Sequence, residues 1–496
     1  MTEAAGPAEL KRRVDKLSAI LDVAKAMTAQ RDLDRLLDLI LTAAARVVDA
    51  DRCSLFIVDR ERRELWTKIA QGTGEIRIPL DTGIAGYVAQ TGATVNIVDA
   101  YADPRFNRNV DLSTGYRTRN ILCVPMWGVS GEVSGVLQAL NKREGAFTSE
   151  DEELLVALGG QAAASIDNAL LHEEINRLFE GFVNASVLAI ESRDPTTAGH
   201  SSRVATLTVG LAEKVNATSS GAYADLRFSR EEINELRYAS LLHDFGKVGV
   251  REPVLVKANK LYPFELESLQ LRFELARARL ESDSYRRQRD LLQRLGEQAA
   301  AAVAEEERRL EGARKELDDI LEFIHACNRP TVLATGGFER LAEIGKRAFP
   351  DGRGGTKPLL TEHEVRTLAI PKGSLTDEER KEIESHVTWT FRFLSQIPWT
   401  RNLRRVPEIA HAHHEKLDGT GYPRNLSAPD IPVQSRLIAI SDVFDALTAS
   451  DRPYKKALPC ELALDILRRE ADGGQLDKDL FQIFVEARIY ERVLKR

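Results

Sequence analysis

Histidine is scarce in this chain, with nine residues among 496, and two of them stand side by side at His413 and His414. That scarcity gives each one weight, because neutral imidazole is the commonest metal-binding side chain. Cysteine is scarcer still. The four present (Cys53, Cys123, Cys327 and Cys460) are scattered, with no Cys-x-x-Cys pair, and read as reduced, mostly buried thiols of a cytosolic protein. An excess of positive charge is missing too. The formal net charge of −7 argues against a sequence-independent coat for DNA or RNA, which needs a basic face, yet leaves room for a small anion held by local cations and metals. No apolar run approaches the roughly 20 residues that span a bilayer, and no signal peptide is visible, so a cytoplasmic location with no membrane contact is expected. What is present is ordinary for folded protein: 43% hydrophobic and 29% charged residues. A chain of 496 residues is too long for one core, and two or three domains are expected.

From residue 14 to 47 apolar residues recur at helical spacing, with a break at Gln30-Arg31-Asp32 where Asp32 is a plausible N-cap. Short runs over 54–58, 65–69, 76–80, 120–126 and 133–140 read as strands, and 83–89 as a short helix. Strands interleaved with helices and closed by a helix describe an α+β, sensor-like domain of about 150 residues, placed at 18–172. A proline-free helical pattern over 153–183 then links it to a second, helical domain, 184–496. Helices of this kind often pair with a copy of themselves, so a homodimer is expected. Within the second domain, 260–371 stands apart. From 264 to 329 mixed charges alternate with Leu and Ala, which favours an antiparallel helical hairpin turning near 282–289 or near Gly296. Residues 330–371 read as a small irregular segment with glycine-rich turns.

Chemistry-bearing residues cluster in the second domain. His243-Asp244-Phe245-Gly246-Lys247 puts an imidazole, a carboxylate and an ammonium together. His413-His414-Glu415 leads into Gly419-Thr420-Gly421-Tyr422-Pro423. His200 stands in Thr197-x-x-His200-x-x-Arg203-Val204, His386 on a predicted helix, and Asp442 and Asp445 in Ser441-Asp442-Val443-Phe444-Asp445. This ordered set resembles the HD-GYP family of cyclic dinucleotide phosphodiesterases, over 184–258 and 372–470. In the first domain, Asn141-Lys142, Phe147 and Asp151-Glu152 resemble the motif of GAF domains that bind cyclic nucleotides, and the likeness runs from Leu33 to His172.

The resemblance implies a GAF sensor domain followed by an all-α HD-type phosphohydrolase domain with a long helical insertion. It implies a first metal held by His243, Asp244, Asp442 and His200, and a second held by Asp244 as a bridge with His386, His413 and His414. Some members add a third metal through a glutamate four residues before the histidine matched by His200; Thr196 stands there, so two divalent ions are expected. Their mixed N and O ligands suit iron or manganese. Lys247 would meet a phosphate, Gly421, Tyr422 and Pro423 would form the rim or contact a guanine, and Arg452 and Lys455 would supply charge to the phosphates. Asp445 would orient a neighbouring ligand or cation. The implied activity is hydrolysis of cyclic di-GMP to linear pGpG and on to GMP. An HD hydrolase of another nucleotide and an inactive cyclic dinucleotide-binding module remain alternatives. Lys142 and Asp151 are compatible with a structural ion pair as well as with binding of a cyclic nucleotide or other small molecule at the GAF domain. His172, His325, His363 and His411 match no ligand position.

Overall fold

The computed structural model describes residues 20–67, 76–194, 198–330, 337–351, 354–449 and 457–494. The chain divides into two compact units, Met1–Gly181 and Phe182–Arg496.

In the first unit, helix α1 (Leu33–Val47) starts where the sequence places it, with the Asp32 side chain accepting from the Arg35 amide at 3.1 Å. Its Leu36, Leu37, Ile40, Ala43 and Ala44 are buried, one stripe at the helical period. The six strands β1 (Ala50–Asp59), β2 (Glu64–Thr67), β3 (Ile76–Pro79), β4 (Val95–Ile97), β5 (Ile121–Trp127) and β6 (Val133–Lys142) form one sheet in the order β3-β2-β1-β6-β5-β4, every neighbouring pair antiparallel. Helix α2 (Gly83–Thr91) follows β3. Strand β4 and a short helix, Arg108–Thr114, were not foreseen, because three to seven residues give too few periods to read.

Helix α3 (Ser149–Arg193) has 45 residues, and runs well past the expected end at 183. Its Leu155, Leu158, Ala162, Ala163, Ile166 and Ala169 belong to the core of the first unit with Leu36, Leu37 and Met126. An 18-residue window of α3 has a mean hydropathy of 1.4, long and apolar enough by composition to cross a membrane, and 44% of it is buried inside the protein. The expectation that no such stretch exists is therefore corrected; its buried face is that of a core helix.

The second unit is built on helices α4 (His200–Asn216), α5 (Arg230–Leu242), α6 (Pro263–Leu295), α7 (Ala300–Asn328), α8 (Asp377–Leu394), α9 (Val406–His411) and α10 (Val433–Thr448). The hairpin of α6 and α7 turns through Gly296–Ala299, and α6 passes unbroken through 282–289. Ion pairs Arg314–Glu281 at 2.5 Å and Arg287–Glu306 at 2.7 Å tie the two helices in antiparallel register. Beyond it the expectation of an irregular segment is corrected. Helices Gly337–Gly345 and Glu362–Leu368 flank a hairpin of β7 (Ala348–Pro350) and β8 (Thr356–Pro358). Leu341, Ile344, Phe349, Leu359, Leu360 and Leu368 share a core with Leu269, Phe273, Ile320 and Ile324 of the hairpin. These elements are short and draw their burial from α6 and α7, so no local pattern announces them. The two ends of the insertion meet, the Ser374 hydroxyl donating to the Lys257 carbonyl at 2.9 Å.

Candidate metal centre

Helix α5 opens with a capping box of Ser229 and Glu232 and ends by delivering His243 and Asp244 into the interior. A tight turn, Phe245–Gly249, follows and lies hard against α8. A β-carbon at Gly246 would stand 1.9 Å from the His386 carbonyl oxygen and 2.3 Å from the Thr390 amide, so only glycine lets the turn come this close. Thr390 fastens the contact: its hydroxyl accepts from the Gly246 amide at 2.8 Å and donates to the His243 carbonyl at 2.9 Å.

Three histidines are oriented in one way. Nδ1 of His243 donates to the Ser240 carbonyl at 2.7 Å, that of His386 to Ile383 at 2.6 Å, and that of His413 to Ala410 at 2.6 Å. A carbonyl only accepts, so the proton sits on Nδ1 and the Nε2 lone pair is bare. All three Nε2 atoms are buried without a hydrogen-bond partner. Leaving such an atom unsatisfied costs about 1–3 kcal/mol, and a bare, buried imidazole nitrogen within a cluster of further donors is what a metal cation would satisfy. His386, His413 and His414 form one group with ligand atoms within 4.8 Å of each other; His200, His243 and Asp244 form a second, and His243, His413 and Asp442 a third.

Asp244 stands between them. Its Oδ1 is 3.2 Å from His386 Nε2, while Oδ2 is 3.6 Å from His243 Nε2 and 3.8 Å from His200 Nε2. Asp442 Oδ1 lies 3.2 Å from His200 Nε2 and 3.7 Å from His243 Nε2, and its Oδ2 lies 3.8 Å from His414 Nδ1. Burial pushes the Asp244 carboxyl up, but the Lys247 ammonium outweighs it and holds it well below the usual range; the hydrogen bond with His200 does the same for Asp442. Burial drives His413 well below its ordinary value and His414 down to about 4. Ionised carboxylates and neutral imidazoles are the forms that bind a metal. The donor set fits divalent cations.

His200 differs. Burial would lower it, but hydrogen bonds to Asp442 and Asp445 raise it to about 9. Its Nδ1 is 2.7 Å from Asp445 Oδ2, and Arg203 grips the same carboxylate from Nε at 2.7 Å and Nη2 at 3.0 Å. Lys247 Nζ lies 2.8 Å from Asp244 Oδ2 and 3.3 Å from Asp194 Oδ2, so its charge is shared between two carboxylates and not simply presented to solvent.

The Gly-Tyr-Pro loop folds back on the paired histidines. The Tyr422 ring centroid is 4.9 Å from that of His414, the Tyr422 amide donates to the His414 carbonyl at 3.2 Å, and the Tyr422–Pro423 peptide is cis. A β-carbon at Gly421 would stand 2.3 Å from the Lys416 amide. Buried Glu415 holds the loop by accepting from Arg424 N at 2.8 Å and Leu426 N at 2.9 Å. Thr196, Thr197, Arg452 and Lys455 lie outside the described residues. His411 stacks on Phe391 with centroids 4.4 Å apart, away from any ligand group. Sequence reading missed Asp194, Thr390 and the clasping role of Glu415. Only Glu415, next to the histidine pair, carried a local signal.

In the first unit, the Asn-Lys…Phe…Asp-Glu residues are engaged with one another. Lys142 Nζ is 2.6 Å from Asp151 Oδ2. Asn141 accepts from Arg119 N at 2.6 Å and donates to the Arg117 carbonyl at 2.8 Å. Asn96 donates to the Phe147 carbonyl at 3.0 Å and to Glu152 at 2.7 Å. Together they tie the ends of β4, β6 and α3.

A family model described as a GAF domain matches residues 32–166, and two described as HD domains match 197–341 and 363–480. The chain is similar to a probable 3′,5′-cyclic phosphodiesterase pde-5 of Caenorhabditis elegans, 36% identical over 35% of this chain and 26% of that protein. It is also similar to a dual 3′,5′-cyclic-AMP and -GMP phosphodiesterase 11A of Takifugu rubripes, 39% identical over 30% of this chain and 18% of that one. The chain thus spans under a third of these relatives. Among solved structures, the GAF domain of a phosphoenolpyruvate-protein phosphotransferase from Coxiella burnetii is 24% identical, covering 32% of this chain and 98% of its own, with a TM-score of 0.30. The chain joins an N-terminal GAF domain of α+β fold to a largely helical HD domain.

Proposed function

We propose that the chain is a GAF-regulated, metal-dependent phosphodiesterase that opens cyclic di-GMP to linear pGpG and carries it on to GMP. The observation that carries this reading is the convergence of three orphaned imidazole nitrogens on two ionised carboxylates, with Asp244 facing both sides. His200, His243, Asp244 and Asp442 would hold one cation, and Asp244, His386, His413 and His414 the other. Iron or manganese suits these N and O donors. Bound there, the ions would supply Lewis-acid stabilisation of the charge that develops on a phosphodiester. The chain's own residues do the rest. Asp244 keeps the two donor groups in register, Lys247 adds a compact positive charge beside it, and Tyr422, with Gly421 and Pro423, lines the rim where a base would lie. Arg452 and Lys455 are assigned to the substrate's phosphates.

The relatives' names support a cyclic nucleotide as substrate, and a 3′,5′-cyclic mononucleotide is the second reading. A homodimer and a small ligand such as a cyclic nucleotide at the GAF domain belong to the same proposal. The test is a metal-resolved assay: protein loaded with iron or manganese is incubated with cyclic di-GMP, cyclic GMP-AMP, cyclic AMP or cyclic GMP, and products are separated by chromatography. Conversion of cyclic di-GMP to pGpG is expected. Turnover of the mononucleotides alone moves the assignment to the second reading, tight binding of cyclic di-GMP without product makes the unit a binding module, and an inert panel ends the enzyme reading.

A further inference from the structure

The C-terminal end of α3 is gripped from three directions within the second unit. Glu191 accepts from the Gly199 amide at 2.9 Å and from the Ser201 amide at 3.4 Å. These are the amides of the N-cap residue and of the first turn of α4, which begins at His200 and has no side-chain cap of its own. Glu191 thus satisfies N–H groups that a helix start otherwise leaves open. Arg193 donates to the Val248 carbonyl at 2.5 Å and to the Val250 carbonyl at 3.1 Å, holding the far end of the turn that follows Asp244. Asp194, 5% exposed, lies 3.3 Å from Lys247 Nζ, which is itself 2.8 Å from Asp244 Oδ2. Val187 and Ile190 are buried on the same helix end.

We infer that Glu191, Arg193 and Asp194 form a clamp that positions both donor groups of the metal centre from one helix end; this rests on the metal-site reading above. Glu191 sets where His200 begins, and Arg193 sets the turn that carries Asp244. Asp194 works through charge. It shares the Lys247 ammonium, 3.3 Å away, with Asp244 Oδ2 at 2.8 Å, the oxygen that faces His200 and His243, and its negative charge offsets part of the competition between that ammonium and a metal cation. None of the three is a ligand; each acts through residues that stand beside one, Gly199 and Ser201 flanking His200, and Lys247, Val248 and Val250 following Asp244. All three side chains and all their partners lie within the second unit, so a displacement of this helix end reaches both donor groups together.

The test titrates the full chain with manganese by chelator competition, alongside thermal unfolding and hydrolysis of cyclic di-GMP. E191Q, R193Q and D194N are each expected to weaken manganese binding by about tenfold while reaching wild-type stoichiometry at saturation, as supporting residues behind metal ligands do. D194E should restore part of the loss. In a K247Q background, D194N should change affinity by less than about twofold, because Asp194 acts through Lys247. Should a glutamine variant unfold, R193K and D194E carry the test, since lysine keeps the charge but cannot bridge two carbonyls. Wild-type affinity in all the folded variants overturns the clamp, and an undiminished D194N loss in the K247Q background overturns the part given to Asp194. Wild type that binds manganese and hydrolyses nothing refutes the phosphodiesterase reading and leaves the clamp standing; wild type that binds no manganese refutes both.

Discussion

Gly246→Ala is a one-carbon change with a calculable effect. The new methyl would stand 1.9 Å from the His386 carbonyl oxygen and 2.3 Å from the Thr390 amide, both backbone atoms of α8 that cannot swing aside. Restoring an ordinary contact near 3.4 Å requires the turn and the helix to part by roughly 1.5 Å. Overpacking of this kind costs about 1–3 kcal/mol. The two Thr390 hydrogen bonds that bind the turn, at 2.8 and 2.9 Å, are strained or lost, each worth about 0.5–1.5 kcal/mol. A destabilisation of about 2–6 kcal/mol follows. The functional effect is larger, because the displacement falls between Asp244 and His386, now 3.2 Å apart, and ligand distances tolerate only about 0.2 Å. Denaturant unfolding and a manganese binding isotherm on the same preparation are the assays. A folded G246A protein with wild-type manganese affinity, less than about 0.5 kcal/mol below wild type in stability, refutes the reasoning.

Further outcomes follow from the same geometry. His413→Ala and Asp244→Asn should each abolish turnover and reduce bound metal while the first domain stays folded, checked by metal analysis with circular dichroism; full metal content and activity in both would refute the site. Arg203→Leu frees Asp445, the partner of His200 Nδ1, and should weaken metal affinity by about 10–100-fold, read by chelator competition. In the first domain, burial raises the Asp151 carboxyl but Lys142 and Thr148 outweigh it and hold it below its ordinary value. A depressed folded pKa contributes stability that is complete above the unfolded value near 3.9 and is lost as pH falls through the folded one. Asp151→Asn should therefore destabilise the first domain at pH 7 and approach wild type at the acid end, as followed by thermal melts across pH; an equal difference at all pH values would exclude this role for the ion pair.

His413 beside His414, and His243 beside Asp244, stand out in a chain with nine histidines, but His200, His386 and Asp442 were reached only through the order of the whole set and the family it resembles. The ion pair of Lys142 and Asp151 was visible because both stand in the motif that resembles GAF domains, as two opposite charges across one short loop. What escaped reading is non-local. Asp194 gains its meaning from Lys247, 53 residues away, and Thr390 from a carbonyl 147 residues away, and neither position has a pattern around it. The end of α3 escaped differently. Helical periodicity reports that a helix continues but not where its partners change, and Val183, Val187 and Ile190 continue the run under a different set of neighbours. The hairpin of β7 and β8 is too short to be recognised without the helices it packs on.

The meeting of the insertion's ends bears on how the centre assembles during folding. Thr390 must find the His243 carbonyl across 147 residues, and the entropy lost on closing a flexible loop grows with its length. The hydrogen bond between Ser374 and Lys257 spans 117 of those residues, and the segment it closes has its own hydrophobic core. If that segment folds first, the chain still to be closed shortens to roughly 30 residues, which reduces the entropic barrier by about 1.4 kcal/mol. An insertion that folds on its own core therefore adds little to the search that unites the two halves of the donor set.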